Sequence, residues 1–388
     1  MNIKFRLLFN TFLLLKVFLF SFLIPSSIFG QAPLSLGPIP VRNQFPISLR
    51  FLNFTPDTPR PLAEGTGQIS YQLAIGNSFI NTRGDSGDLN PELVSSGLEE
   101  GDFILQETGQ PRNGYNLYID VETYRHLFKI KMGTPFETEI SVEWPLIGFT
   151  GGFLDRPIEV VHEMTGVDNN AEDGGFRSKS DRNRFDYYLI RNNQFIFNSQ
   201  KPFDLQLGDP VFDLKWNFLQ ESKLAPNMSL KLSYKFPWDS AEHYPRNLIS
   251  SGHPDYGVYF LFSKSFFENK WIGYWEGGET FLEASGKNFK NSLKHAFLAI
   301  EYHPNPEQSW LIQWAHQSSI FPSKSPPLDG TIREYVVDRG LGQATDVLTL
   351  GVKQIFASQV YYVGFSEDVT QTRNEVDFLL FFGMEWQL

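Results

Sequence analysis

The final thirteen residues of the chain alternate between apolar side chains and a mixed set, and this segment constrains the fold more than any other. A period of two places every second side chain on the same face of a β-strand. The apolar residues are Val376, Phe378, Leu380, Phe382, Met384, Trp386 and Leu388. This pattern is typical of a strand that closes a membrane β-barrel with lipid on one side. An edge strand of a soluble β-sandwich is the alternative.

The phase of this alternation assigns the two faces of the C-terminal strand. We expect Phe378, Phe382 and Trp386 to face lipid. Gly383 should point inward, and a larger residue there is expected to be tolerated if there is space.

The first 30 residues have the three-part form of a secretory signal peptide. Two basic residues precede a long apolar run, and small residues follow it. We expect cleavage after Gly30 or Ala32. An uncleaved membrane anchor is the alternative, but Lys16 in the middle of the apolar run makes it costly.

The composition narrows the class of protein further. The absence of cysteine excludes disulfides and thiolate metal sites, and a formal net charge of −11 argues against nucleic acid as a partner. The 37 Phe, 15 Tyr and 8 Trp are unusually many for a chain with slightly negative mean hydropathy. A barrel reconciles these values, because it places Phe towards lipid and Tyr and Trp at the interfaces.

Twelve segments alternate with the period of a strand, and each is about as long as a membrane-spanning strand. They lie at 68–75, 115–122, 136–144, 212–218, 228–236, 256–262, 271–282, 293–302, 310–319, 345–356, 360–365 and 376–388. Short and long connections alternate between them, as periplasmic turns and outer loops do in bacterial barrels. The sequence therefore predicts an all-β fold, a closed antiparallel transmembrane barrel of about 12 strands (range roughly 10–14), in the outer membrane. The expected partners are outer-membrane lipid and, through the C-terminal strand, the barrel-assembly machinery.

Two segments do not fit the predicted barrel of residues 66–388. Residues 31–65 are rich in proline, which suits an extended segment that threads a lumen as a plug. Residues 146–209 read as a long loop with a short helix after Pro157. A twelve-stranded lumen is narrow enough to be blocked, so we interpret both segments as constriction elements. The alternatives are that 31–65 stays in the periplasm and that 146–209 folds outside the barrel.

Several short motifs resemble a known bacterial family of exported proteins. They are Pro145-Leu146, Gly151-Gly152-Phe153-Leu154-Asp155 with His162, Arg182-Asn183-Arg184-Phe185, Arg42-Asn43-Gln44 and Leu207-Gly208-Asp209. The combination is similar to the domain of unknown function 3187, over about residues 36–388. The resemblance implies an outer-membrane barrel and supplies no activity. Two features depart from the family pattern: a longer, more acidic stretch after His162, and Leu388 in place of a terminal aromatic residue.

The sequence carries no catalytic motif. It has no Gly-x-Ser-x-Gly, no phosphate-binding loop and no His-Glu-x-x-His, so we expect no enzyme, no cofactor and no metal site. His295 near Ser292 and His316 near Ser318 leave an outer-membrane lipid hydrolase as a distant alternative.

Charges of both signs are expected to face the lumen. The acidic set is Asp120, Glu122, Glu137, Glu139, Glu143, Asp213, Asp377 and Glu385, and the basic set is Lys215, Lys231, Lys235 and Lys353. Such a lumen favours a channel or transporter for small solutes, gated by an inserted segment, with a mild bias towards cationic or neutral solutes. A structural or surface-interaction barrel without transport is the alternative.

The predicted constriction centres on Arg42. Its guanidinium should lie near inward carboxylates, because a charged group in a narrow lumen requires compensating partners. The candidate lumen or constriction residues are Arg42, Asn43, Asp155, Glu137, Glu139, Glu143, Arg182 and Arg184. The sequence identifies no particular solute.

Overall fold

The computed structural model describes residues 35–81, 115–158, 160, 183, 185–191, 194–267, 269–283, 288–322, 324–325, 335–336, 341–369 and 376–388. The predicted signal peptide lies outside these residues. Among the residues described, no helix is long and apolar enough to cross a membrane.

The described chain is built almost entirely from β-strands. They are β1 (Gly67–Asn81), β2 (Tyr115–Thr134), β3 (Thr138–Thr150), β4 (Asp186–Arg191), β5 (Gln194–Ser199), β6 (Phe203–Leu207), β7 (Val211–Leu219), β8 (Asn227–Lys235), β9 (Asp255–Phe266), β10 (Trp271–Leu282), β11 (Ser292–Asn305), β12 (Gln308–Gln317), β13 (Lys324–Ser325), β14 (Tyr335–Val336), β15 (Thr345–Phe356), β16 (Gln359–Asp368) and β17 (Phe378–Gln387). The helical elements are short: a 3-10 turn at Ser48–Arg50, one turn of α-helix at Arg246–Ile249, and helical residues from Asp155.

Twelve of the described strands close into an antiparallel ring. The order around it is β1, β2, β3, β7, β8, β9, β10, β11, β12, β15, β16 and β17, and β17 pairs with β1. In the first and last strands, Gln68 lies opposite Gln387 and Asn77 lies opposite Phe378. The predicted closed barrel of about twelve strands is therefore confirmed.

Short and long connections segregate to opposite ends of the barrel. The short turns are 135–137, 220–226, 267–270, 306–307 and 357–358, and we call this the short-turn end. The other end, which we call the long-loop end, carries the connections 82–114, 151–210, 236–254, 283–291, 318–344 and 369–377. β1 begins and β17 finishes at the short-turn end, which is the periplasmic side in barrels of this kind.

The wall is extended at the long-loop end by short strands within 146–209, a region that the sequence predicted as a loop with a helix. β3 continues to Thr150, and β4, β5 and β6 follow it. β4 pairs with Tyr115–Asp120 of β2, and β6 pairs with β3 from Leu146 to Phe149. β2 extends beyond the end of β3, and β3 extends beyond the end of β7. β4 and β6 therefore provide hydrogen-bond partners for backbone groups that would otherwise remain unpaired.

The two faces of the wall have opposite polarity. The outer face exposes apolar side chains, including Phe128, Ile130, Met132, Phe212, Leu214, Trp216, Val258, Phe260, Leu298, Ile300, Trp310, Ile312, Val363 and Leu380. The inner face buries polar and charged ones, including Glu139, Glu143, Asp213, Lys215, Lys231, Glu276, Glu301, Gln313 and Lys353. This inversion of the soluble pattern is the arrangement that a lipid environment requires.

Gly383 does point inward, but the space that a larger residue would need is not available. A Cβ atom at Gly383 would overlap the ring of Tyr362 on the neighbouring strand. The tyrosine lies across the glycine and fills the space that a side chain would need.

Candidate functional site

Residues 35–65, which we call the lumen segment, run through the inside of the barrel. The segment has an outward limb from Ser35 to Gln44, a tip around Phe45–Phe51 and a return limb from Leu52 to Gly65 that leads into β1. Nearly all of it is buried between residues 36 and 57. The segment therefore fills space inside the barrel.

The outward limb is held by polar side chains of the wall. The backbone N–H of Leu36 donates to Glu301 at 3.0 Å, and Lys353 donates to the carbonyl of Leu36 at 2.7 Å. Gln313 binds both backbone groups of Ile39, accepting at 2.6 Å and donating at 3.2 Å. Each of these wall residues replaces water at a backbone group that has no strand partner.

Arg42 lies at the middle of the lumen, beside a carboxylate of β3. Its Nη2 atom is 3.3 Å from Glu143 Oε1, and Nη2 of Arg125 on β2 is 2.8 Å from the same oxygen. Arg125 is fully buried. Two guanidinium groups thus share one carboxylate in a site with little water, where breaking the pairing is costly.

The tip of the lumen segment is apolar and packs into a core at the long-loop end. Phe45, Ile47, Leu49 and Phe51 belong to one buried cluster. The other members of the cluster are Ile80, Leu117, Ile119, Val121, Ile147, Phe149, Phe185, Tyr187, Leu189, Phe197, Phe203, Leu248, Ile249, Leu282, Phe289, Leu293, Ile320, Phe321 and Leu341. This cluster fills the long-loop end of the lumen with apolar side chains.

The return limb brings a carboxylate to a group of lysines. Asp57 Oδ1 lies 2.7 Å from Lys131 Nζ, and Asp57 Oδ2 lies 3.4 Å from Lys215 Nζ and 4.0 Å from Lys231 Nζ. The limb is fixed further along by Leu62, whose N–H donates to Glu139 at 2.9 Å. Around Asp57 the return limb is therefore anchored by charges, while Phe54 nearer the tip packs with Tyr259 and Phe297 in an apolar cluster.

A cavity of about 240 Å³ lies at the short-turn end, between the two limbs of the lumen segment. Charged residues around it include Asp57, Lys129, Lys131, Glu139, Glu221, Lys353 and Glu385. Burial raises the pKa of Glu221, but hydrogen bonds from Ser265 and Lys264 outweigh it and hold that pKa below its usual value. The cavity mouth therefore keeps an anionic side chain at neutral pH.

The Gly151–Asp155 motif lies outside the barrel, which corrects its prediction as a constriction element. Glu122 shares the outer face of β2 with exposed Phe128, so it does not point inward as predicted; neither does Asp120. The Glu122 carboxylate accepts hydrogen bonds from the N–H groups of Phe153 and Leu154. Gly152, at φ +66°, fits there because a Cβ would overlap Glu122.

Asp155 lies with this motif on the outer side of the barrel and not in the lumen. Its carboxylate accepts from the Asn77 side chain at 3.5 Å and from the Asn183 N–H at 2.8 Å. Asn77 lies opposite Glu122 and Phe378, on the outer side of the rim. The carboxylate therefore fastens a loop to the barrel wall.

The remaining predicted site residues are dispersed. Glu137 is exposed in the β2–β3 turn at φ +54°, so its predicted place in the lumen is wrong. Asn43 is buried and accepts from the Phe45 N–H at 2.9 Å, which shapes the approach to the tip. Arg182 and Arg184 lie outside the described residues, as does His162.

Three cationic residues of the lumen were missed from the sequence: Arg125, Lys129 and Lys131. The alternation was followed only as far as Glu122, whereas β2 continues to Thr134. The alternation of Phe128, Ile130 and Met132 with these cations was the available signal. Asp57 was also missed, because a single acid in a proline-rich segment has no periodic context.

The serine and histidine pairs are not joined by hydrogen bonds that would indicate catalysis. Ser292 donates to Glu279 at 2.6 Å, while His295 contacts Thr280 at 3.0 Å. His316 Nδ1 is 2.9 Å from Asp346, while Ser318 Oγ accepts from the Lys294 N–H at 2.9 Å. Each serine is engaged by a group other than its neighbouring histidine.

A closed ring of twelve strands with an apolar outer face defines an outer-membrane β-barrel protein. The chain belongs to the family described as protein of unknown function (DUF3187), whose model matches residues 113–388. The match starts after the lumen segment, so the motif Arg42-Asn43-Gln44 is not covered by it. No curated protein sequence matches the chain.

A solved outer-membrane channel shares the fold, and two further structures are similar with lower scores. The COG4313 outer membrane channel from Pseudomonas putida F1 is similar with a TM-score of 0.51 and 8% identity, over 87% of this chain and 100% of that chain. The P. putida toluene transporter TodX has a TM-score of 0.34 and 10% identity, over 84% and 89% of the two chains. The outer membrane phospholipase A from Escherichia coli has a TM-score of 0.32 and 10% identity, over 89% and 98%. The last two scores are too low to support a conclusion about this chain.

Proposed function

We propose that this protein is an outer-membrane channel for small solutes whose lumen is closed by residues 35–65 and opens when that segment moves. The observation that carries the proposal is the position of the segment, which contacts inward side chains of β2, β3, β8, β11, β12 and β15 along the lumen. The similarity to the fold of a solved outer membrane channel is consistent with it.

The chemistry of the limbs supports a movable closure. Both limbs bind the wall through hydrogen bonds and ion pairs besides the apolar contacts of Ile39, Val41 and Phe54. Water or a polar solute can replace the hydrogen bonds at modest net cost. The proline residues of the segment reduce the conformational entropy that it loses on entering the lumen. A core made only of apolar contacts would not offer such an exchange.

A reversible disulfide tests the proposal, because the chain has no cysteine of its own. A Cβ atom at Gly76 of β1 would lie 3.5 Å from Cβ of Gln44, within the range of about 3.5–4.5 Å that a disulfide spans. The side-chain ends of Val376 and Leu379 also approach this position and must shift slightly. The double variant Gln44→Cys/Gly76→Cys therefore ties the lumen segment to the wall.

We expect the oxidised double variant to conduct less than the same molecules after reduction, in planar-bilayer recordings. The matched control is Gly67→Cys/Leu388→Cys, whose Cβ atoms would lie 3.4 Å apart and link β1 to the chain end without touching the lumen segment. Reduction should leave the conductance of this control unchanged. Deletion of residues 33–60 should raise conductance in molecules that still show the heat-dependent gel shift of a folded barrel.

Equal conductance of the oxidised and reduced double variant, with no gain on deletion, would reject the gating proposal. The apolar cluster around Phe45 and Phe51 would then favour the second candidate function, a permanently closed barrel that acts in structure or surface interaction. Liposome swelling with neutral sugars provides an independent measure of transport.

A further inference from the structure

Asp57 of the return limb is held by the wall as a bound carboxylate ligand would be. One of its oxygens lies 2.7 Å from Lys131, and the other lies 3.4 Å from Lys215 and 4.0 Å from Lys231. The three cations come from three different strands, β2, β7 and β8. Both oxygens of the carboxylate are thus engaged, an arrangement that suits a planar two-oxygen anion better than a halide ion.

Counted with every group ionised, the charges around Asp57 balance while it is present. The cations are Lys129, Lys131, Lys215 and Lys231, which we call the lysine cluster. The carboxylates are Asp57, Glu139, Asp213 and Glu276. Three of these carboxylates belong to the wall, and only Asp57 belongs to the lumen segment. If the segment leaves, the same count gives four cations and three carboxylates.

An unbalanced charge in a buried site is costly, so release of the segment is favoured when another anion takes the place of Asp57. Thermodynamic linkage makes this coupling reciprocal: an anion that binds only the vacated cluster stabilises the released state. The cavity of about 240 Å³ borders Asp57, Lys129 and Lys131 at the short-turn end and leaves space for a small organic anion to approach.

The lumen holds further cationic capacity beyond the cluster. Arg125 is fully buried, and its Nε and Nη1 atoms have no hydrogen-bond partner among the described residues. Only its Nη2 atom is paired, with Glu143 at 2.8 Å. An anion that leaves the lysine cluster therefore meets another donor deeper in the lumen.

We propose that the lysine cluster is a binding site for a small carboxylate solute, and that Asp57 occupies this site as an internal substitute in the closed state. The proposal rests on the proposed channel function and assigns its substrate class. It replaces the mild preference for cationic or neutral solutes that the sequence suggested, because that prediction lacked Lys129 and Lys131.

The test compares single-channel recordings of the full chain in potassium acetate and in potassium chloride of equal ionic strength and pH. At about ten times the Kd of the site, acetate should favour the open state about tenfold over chloride. In Asp57→Asn the closed state lacks the competing carboxylate, so the channel should open readily in both salts and the difference should shrink. In Lys131→Gln the site loses its closest cation, and acetate should lose most of its effect.

Lys223→Gln is the matched control, since it removes the same charge from an exposed position in the β7–β8 turn; the acetate effect should persist there. Equal open probability of the wild type in acetate and chloride would overturn the proposal, and so would a full acetate effect in both Asp57→Asn and Lys131→Gln. The disulfide comparison in the Gln44→Cys/Gly76→Cys variant is independent of acetate, so it separates failure of this inference from failure of the gating function.

Discussion

The lumen segment is held by different interactions at the two ends of the barrel. At the long-loop end, Phe45, Ile47 and Phe51 are embedded in an apolar cluster. At the short-turn end, Asp57 and Leu62 are held by charged wall residues beside a cavity. The first arrangement resembles a protein core, and the second resembles a ligand-binding site.

This contrast suggests how one segment can both close a barrel and move. Apolar burial contributes free energy in proportion to area and has no specific competitor in water. Charged contacts are specific and can be replaced by a solute of the same charge. We therefore expect stability to reside mainly at the tip, and responsiveness to reside in the return limb.

The largest expected effect is at the tip. Phe45→Ala removes a fully buried ring from the cluster and should lower the free energy of unfolding by roughly 3–5 kcal/mol. Urea unfolding in detergent micelles, followed by tryptophan fluorescence, measures this change. Leu62→Ala is the control. Leu62 is a half-buried residue of the return limb, so this variant should lower the free energy of unfolding by about 1 kcal/mol or less. Equal losses at the two positions would remove the distinction between the ends.

Glu143 lies between the apolar contacts of the tip and the charged contacts around Asp57. Glu143→Gln leaves Arg42 and Arg125 without a counter-charge and should destabilise the folded barrel by about 3–5 kcal/mol. Adding Arg42→Met in the same chain should recover part of that loss, because it removes one of the two repelling guanidinium groups. Unfolding of the wild type, both single variants and the double variant measures the coupling. A strictly additive result would show that Arg42 and Glu143 do not interact.

The contrast also requires the wall to present lipid-facing and lumen-facing sides as described. Phe382 lies beside Leu73 and the exposed Val363, on the outer face. Phe382→Lys should cost roughly 2–4 kcal/mol if it lies near the membrane midplane. Phe382→Leu keeps the apolar character and should cost clearly less. Unfolding in liposomes provides the comparison, and a lysine no worse than leucine would place this residue away from lipid.

The smallest expected effect concerns the motif on the outer wall. Gly152→Ala places a side chain at φ +66° against Glu122 and should cost about 1–3 kcal/mol. Gly151→Ala, at a residue whose φ is not positive, is the control. Because the motif lies outside the lumen, neither variant should change single-channel conductance. A changed conductance in Gly152→Ala would indicate that the motif takes part in closing the lumen.

Much of the architecture was accessible from local pattern. The alternation of Phe212, Leu214 and Trp216 with Asp213 and Lys215 predicts a strand and assigns its faces, and β7 has those faces. Residues were missed where the alternation was not followed to the end of a strand, as in β2 beyond Glu122. The assignment of Glu122 to the lumen failed because polarity alone does not separate an inward carboxylate from one that is covered by an outer loop.

The sequence by itself determined the class of protein: the period of two, the sorted loop lengths and the apolar final strand each follow from residues close together in the chain. Only the tertiary structure decided what fills the lumen. Asp57 meets Lys131, Lys215 and Lys231, and Leu36 meets Glu301 and Lys353, across separations that no local pattern encodes. These contacts exist because twelve strands close into a ring, and closure alone brings inward side chains from distant strands around one segment.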